Sequence, residues 1–335
     1  MKRAVIRGTG RYLPPRVVTN NDLTQHMDTS DEWIQQRTGI EKRHWIEEEG
    51  GTGASDLGLE ASKIALDKAG WKPEDIDLII FATLSPDVFF PGSGCFLQHK
   101  LGLDSTPALD IRQQCTGFLH GMQVADAYIR SDLANRILFV GSEVHSTGID
   151  ISTRGRDVAV IFGDGAGAVC LEGIETDKEV GILASELHAK GELAESLWVE
   201  VPASRENPRV STEMVEETRH FPKMNGKVIF KEAVRKLPEI TNSVLEKVGL
   251  TKDDIDLYIP HQANMRINQF FQQSMKLPEE KVFHNIQRYG NTTAGSIPIA
   301  LDEALEMKII GEGSTVVFLG LGAGVTWGAV VYRFE

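Results

Sequence analysis

The chain has 335 residues, 41% of them hydrophobic, and a formal net charge of −13. That length supplies apolar surface for two ordinary domains or for one large duplicated one. The negative balance argues against nonspecific binding to nucleic acid or to an anionic membrane, because the summed field repels phosphate. No stretch approaches the ~18 uninterrupted apolar residues of a membrane span.

The N-terminal segment Met1–Gly8 lacks the apolar run of a signal peptide. Its three cysteines, Cys95, Cys115 and Cys170, stand in no disulfide or zinc spacing, so the expected compartment is the reducing cytoplasm. The first clear element is a helix with Leu57, Ala61, Ile64 and Ala65 on one stripe, closed by Gly70 and followed by a turn and a strand ending at Ile80. The turn Phe89–Gly92 exposes aromatic surface at Phe90 that calls for a partner subunit. A strand over Ala108–Ile111 leads to Cys115 and a helix through Met122, Ala125 and Ala127, and another strand covers Ile137–Gly141. Further on come a helix with Ile240, Val244, Leu245 and Val248, closed by Gly249, and a strand over Ile255–Ile259. The spacing predicts two more strands, Val282–Ile286 and Val316–Gly320, and a β-like end at Ala329–Phe334.

These elements repeat. Residues Ala65–Ile80 match Val244–Ile259, and Ile137–Gly141 match Val316–Gly320, both at a step of 179 residues. One step shared by two separated segments implies two similar β/α halves packed face to face around mostly buried sheets. In such sheets ligands gather beyond the carboxyl ends of strands. Cys115, His261 and Asn291 are each expected just past a predicted strand.

Cys115 sits where a strand turns into a helix, and amides at a helix start favour thiolate, the reacting form of the side chain. Cys95 and Cys170 are expected to be buried packing residues. The cluster Pro260–Ile267 contains His261, Gln262 and Asn264 where the first copy has only Phe81-Ala82-Thr83, so folding alone does not require it. Arg288–Ser296, around Asn291, is compatible with an ordinary loop and helix cap. The glycine-rich Gly320–Gly328 is not followed by a helix and so is no dinucleotide fingerprint; it suits a tight loop offering amides to an oxyanion.

Several segments in one order resemble the β-ketoacyl-acyl carrier protein synthase III family nearly end to end: Asp28–Ile34, Arg37–Ile40, the Cys115 segment, Phe162–Ala168, Pro260–Asn264, Tyr289–Thr292 and Gly322–Gly328. The resemblance implies an α/β thiolase-like fold, with duplicated halves 1–174 and 175–335 in a layered α-β-α-β-α architecture. It implies a homodimeric acyltransferase that takes an acyl group from coenzyme A and condenses it with malonyl-acyl carrier protein. CoA thioesters are then substrates, and no cofactor or metal is implied. The nucleophile falls on Cys115, the enolate donors on His261 and Asn291, and the oxyanion amides on Cys115 and Ala323. Thr29, Trp33, Arg37 and Asn264 fall on CoA contacts. Phe90 falls on the residue that reaches the partner's acyl pocket, and Phe162 on another pocket residue.

The spacing between Asp150 and Phe162 is longer than is usual for the family, so Arg154 with Gly155, or Arg156, is the phosphate contact. Gly191–Gly226 is also long where the family borders its acyl pocket, which leaves chain-length preference open. Carrier protein is expected to dock on Arg266 with Lys231, Lys227 and Arg235, against the global negative charge. Hydroxymethylglutaryl-CoA synthase is the neighbouring alternative, but its glutamate is missing from Phe81–Asp87. A silent partner subunit would lack Cys115.

Overall fold

Two sheets organise the computed structural model, which describes residues 2–47 and 50–335. The first comprises β1 (Lys2–Tyr12), β2 (Leu78–Ala82), β3 (Ala108–Ile111), β4 (Arg136–Glu143) and β5 (Gly165–Glu175), in the order β1-β5-β4-β2-β3. The second comprises β6 (Gly181–Ala189), β7 (Leu257–Pro260), β8 (Thr315–Gly322) and β9 (Thr326–Arg333), in the order β7-β8-β9-β6. The long helices are α1 (Asp31–Thr38), α2 (Ala54–Ala69), α3 (Gly117–Arg130), α4 (Gly226–Glu246), α5 (Met265–Met275) and α6 (Ser296–Glu306).

Strand alternation produces the layers. Ile80 and Ala82 on one face of β2, with Phe139 of β4 and Val316 and Phe318 of β8, enclose the apolar stripes of α3 and α6. Ile79 and Phe81 on the opposite face of β2 pack against Leu57, Ala61 and Ala65 of α2. Val317 and Leu319 pack against Ile240 and Val244 of α4 and Phe271 of α5. Both faces of both sheets are therefore buried, which is why these strands read as continuous apolar runs. The result is the expected α-β-α-β-α stack. Phe118, one residue into α3, makes edge-on contacts with Phe139 at 5.3 Å and Phe318 at 5.2 Å. Each such pair adds about 0.5–1.5 kcal/mol beyond area burial, and together they tie the start of α3 to both sheets.

The step of 179 reaches further than the two sequence matches. It relates the starts of β1 and β6, β2 and β7, β4 and β8, and α3 and α6, and the one-turn helices Gln114–Thr116 and Thr293–Gly295. Gln114 and Thr293, also one step apart, both hold positive φ, 43° and 46°. Such a conformation costs a non-glycine residue of order 1–3 kcal/mol, most severely when it is β-branched, and persists only where surrounding packing imposes it. The paired turns carry Cys115 and the residues just after Asn291.

Two expectations fail. Val282–Ile286 is not a strand: Val282 makes only a single bridge to Tyr258, and Ile286–Tyr289 is a helical turn. The Asn285 N–H is taken by the Gln262 side chain and the Asn285 amide by Glu303, so the backbone turns away instead of extending. Cys95 is exposed, because its short helix buries Ser93, Gly94 and Leu97 and turns residue 95 outward. Cys170 is buried in the outer core, as expected. Among the described residues no helix is long and apolar enough to cross a membrane.

Candidate active site

Three chain segments converge at the glycine-rich end of β8. A Cβ placed on Gly320 would lie 3.2 Å from His261 Cβ and 3.6 Å from the Cys115 carbonyl oxygen, and one on Gly322 would lie 2.5 Å from Cys115 Cβ. Glycine at residue 322 lets the loop close on the thiol. Gly117 is similarly close to Ala294, so the two paired turns touch.

Cys115 is 6% exposed and sits in the one-turn helix just before α3. The expectation that the helix start would favour thiolate is overturned. Burial, followed by the charge of Glu143, pushes the thiol up to about 12, and backbone hydrogen bonds from Ala323 and from Cys115's own amide only partly oppose this. Desolvation outweighs the helix end. The two amides expected to hold an oxyanion are thus the ones facing the resting sulfur.

His261 follows β7 and is anchored by its N–H to the Leu319 carbonyl. Its Nδ1 lies 2.6 Å from Ser296 Oγ, and its buried Nε2 has no protein partner. The Gln262 N–H also donates to Ser296 Oγ, and when the serine hydroxyl donates to Nδ1 the ring proton sits on Nε2. Burial holds this imidazole down at about 3, so it stays neutral at physiological pH. Asn291 bridges Phe162, and its Oδ1 accepts the Thr293 N–H at 2.8 Å. Since a backbone N–H must meet an oxygen, the amide orientation is fixed and Nδ2 remains a donor without a protein partner. The segments carrying these two neutral groups meet the Cys115 turn, at Gly320 for His261 and through the approach of Gly117 to Ala294 for Asn291.

Sequence reasoning missed Glu143. This fully buried carboxylate at the end of β4 accepts from Thr83 Oγ1, Leu84 N, Ser85 N, Ser85 Oγ and Ala294 N. It clamps the loop after β2 to the turn after Asn291, and burial pushes it up to about 7. Phe81–Asp87 itself contains no glutamate, and the acid packed against that loop comes from β4, with its oxygens fully engaged. A signal was present: one repeat step pairs Glu143 with Gly322 of the glycine loop.

Cys115, Phe162 and Ala323 line one cavity of about 600 Å³, together with Leu84, Val144 and His145. The long segment after Gly191 folds over it, with Leu197–Trp198 paired to Lys223–Met224 and with Leu197, Trp198 and His220 in its wall. The expected CoA contacts gather elsewhere. The Trp33 ring lies between Arg37 at 4.4 Å and Arg156 at 5.0 Å. Asn264 caps α5 and donates to the Arg37 carbonyl, and the buried Thr29 Oγ1 has no partner. Arg154 is held by Asp150 at 2.7 Å, away from that stack. Gly155 is a steric necessity, since a Cβ there would meet the Asp150 oxygen at 2.1 Å. Phe90 is 76% exposed and lies outside the cavity lining. Arg266 stacks on Phe230 at 5.8 Å, and Lys231 and Lys227 are exposed. Arg235 is engaged by Glu232 and Glu239, which removes it from the basic patch.

A buried thiol on a one-turn helix and two neutral polar side chains after it in the chain suit a condensing acyltransferase of the thiolase-like class. Residues 109–191 match the model of 3-oxoacyl-[acyl-carrier-protein] synthase III, and residues 245–334 match its C-terminal model. A β-ketoacyl-[acyl-carrier-protein] synthase III from Natranaerobius thermophilus is 42% identical over 335 residues, covering 100% of both chains. A crystal structure of 3-oxoacyl-[acyl-carrier-protein] synthase III from Aquifex aeolicus superposes with a TM-score of 0.89 at 40% identity, covering 99% of this chain and 100% of that one. The Thermus thermophilus synthase III superposes at 0.90 and 37% identity, covering 99% of each. The chain belongs to the β-ketoacyl-[acyl-carrier-protein] synthase III family.

Proposed function

We propose that the protein transfers an acyl group from acyl-CoA to Cys115 and condenses it with malonyl-acyl carrier protein, giving 3-oxoacyl-acyl carrier protein, CO2 and free CoA. This starts an acyl chain in fatty acid synthesis. The observation that carries the reading is a buried thiol on a turn met by the segments of two neutral groups, His261, whose Nε2 has no protein partner, and Asn291, whose Oδ1 is held by the Thr293 N–H.

In the first half-reaction sulfur attacks the thioester carbonyl, the tetrahedral oxyanion takes the Cys115 and Ala323 amides, and CoA leaves with the thiol proton. In the second, malonyl loses CO2, and the electron pair left behind forms an enolate whose oxygen accepts from His261 and Asn291. The enolate carbon then attacks the acyl-enzyme carbonyl and expels Cys115 sulfur. Decarboxylation generates the carbanion without a strong base, so neutral donors suffice and the reading calls for no cofactor. CoA enters as a substrate.

We assign the halves 1–174 and 175–335 as nucleophile-bearing and donor-bearing units. Trp33, Arg37, Arg156, Thr29 and Asn264 take CoA, with Arg156 as the phosphate contact in place of Arg154, because Arg156 joins the Trp33 stack. Arg266 with Lys231 is assigned to carrier docking. Three substitutions separate these roles: Arg156→Ala raises KM for acyl-CoA, Arg154→Ala leaves it unchanged, and Arg266→Glu raises KM for malonyl-carrier protein at low salt. Equal effects of Arg154→Ala and Arg156→Ala, or no effect of Arg266→Glu, would refute the corresponding assignment.

The working form is assigned as a cytoplasmic homodimer. β3 is an edge strand, and exposed Phe89 and Phe90 lie in the connection leading toward it. A monomer mass by sedimentation at micromolar concentration contradicts the dimer, and recovery in a membrane or extracellular fraction contradicts the compartment.

A further inference from the structure

His145 is unused by the condensation chemistry, yet it stands in the wall of the cavity that holds Cys115. Its side chain is 94% buried by the complement of its 6% exposure. One ring nitrogen, Nε2, meets Thr293 Oγ1 at 2.7 Å, and the ring lies 4.5 Å from Phe162 at 36°. Its Nδ1 has no protein hydrogen bond. A cavity built only for a hydrocarbon chain gains nothing from an imidazole with an unsatisfied nitrogen, because an apolar chain laid against it leaves that nitrogen without water or partner.

Two of the other polar groups in this wall, Ser85 and Asp87, are committed. Ser85 Oγ donates to Glu143 and accepts the Val144 N–H. Asp87 accepts from Ser55 Oγ, and its own N–H donates to Ser93 Oγ. The inserted segment adds His220 to the same wall, with a buried and unpartnered Nδ1 of its own.

We propose that the acyl group loaded on Cys115 carries an uncharged hydrogen-bonding oxygen, a hydroxyl or oxo group along a short chain, recognised by His145 Nδ1 while the rest of the chain lies on Phe162. The proposal rests on the condensing reading above and names the substrate class of that site. Burial holds His145 at about 3, so the ring is neutral and offers no counter-charge to a carboxylate. A neutral ring can donate to an oxo oxygen or serve a hydroxyl in either direction. A site built around such a hydrogen bond discriminates against the analogue lacking it far more strongly than an apolar pocket discriminates between chain lengths.

The test measures Cys115 acylation, by intact mass with time, from matched pairs of acyl-CoAs of four to eight carbons, each differing by about one hydroxyl or oxo group. At least one oxygenated donor is expected to exceed its alkyl parent by about tenfold or more in kcat/KM. His145→Leu should erase that preference while alkyl donors still acylate Cys115, and His145→Gln should restore part of it. Acylation by alkyl donors with no preference for any oxygenated partner overturns this proposal alone. So does a His145→Leu enzyme that loses all donors and decarboxylation in parallel, which would mark a positioning role through Thr293. Absence of acylation by every donor overturns the condensing reading as well.

Discussion

Cys115→Ala is expected to abolish covalent acylation by acyl-CoA while leaving decarboxylation of the malonyl thioester measurable. The substitution removes the sulfur but retains the residue's amide, and it leaves His261 Nε2 and Asn291 Nδ2 untouched. The two half-reactions draw on different atoms, so one is lost and the other survives. Intact mass and CO2 release report them separately. In the unsubstituted protein the thiol is pushed up to about 12 by burial and by Glu143. The thiolate fraction therefore rises about tenfold per pH unit through neutral and mildly alkaline pH, and acylation should rise with it. Decarboxylation uses a histidine held at about 3 and a non-titrating amide, so it should stay flat over the same range.

Asn291→Ala is expected to show the opposite pattern. Its Nδ2 is aimed by the bond between Oδ1 and the Thr293 N–H, and truncation removes one of two donors to the enolate. Loss of one such contact typically costs about 10²–10³ in rate, with the thiol and its amides unchanged. His261→Ala should lower decarboxylation as far. Its effect on acylation should be smaller, because a ring held at about 3 accepts the thiol proton poorly and acylation follows the thiolate fraction. Normal decarboxylation in Asn291→Ala with acylation lost would reverse the assignment.

The repeat was legible because a step of 179 survives in local features, a glycine-capped helix, a turn and an apolar strand, that do not depend on distant contacts. The same step then proved to govern the paired turns at Gln114 and Thr293, where the shared feature is backbone conformation and not residue type. His261 stood out as part of a polar cluster at the end of an apolar strand, whereas Cys115 and Asn291 were weak signals alone and gained weight from the family resemblance. What escaped was set by tertiary packing. Glu143 reads as the end of an ordinary strand, and only the folded chain brings Thr83, Ser85 and Ala294 to its carboxylate. The thiol's protonation followed burial and not its place in the chain. Val282–Ile286 has strand-like apolar spacing, but long-range bonds from Gln262 and Glu303 to Asn285 turn it. Spacing alone leaves Arg154 and Arg156 equivalent; the contacts that support Arg156 in the proposal, Asp150 on Arg154 and Trp33 beside Arg156, belong to the folded chain.

The most direct test of the account is an intact-mass chase. The protein is loaded with acyl-CoA, freed of excess donor and then given malonyl-acyl carrier protein. The account predicts a single acyl adduct on Cys115 that disappears as an equal amount of 3-oxoacyl-carrier protein forms. An adduct that persists after malonyl-carrier protein is added, or product formed by a protein carrying Cys115→Ala, would contradict it.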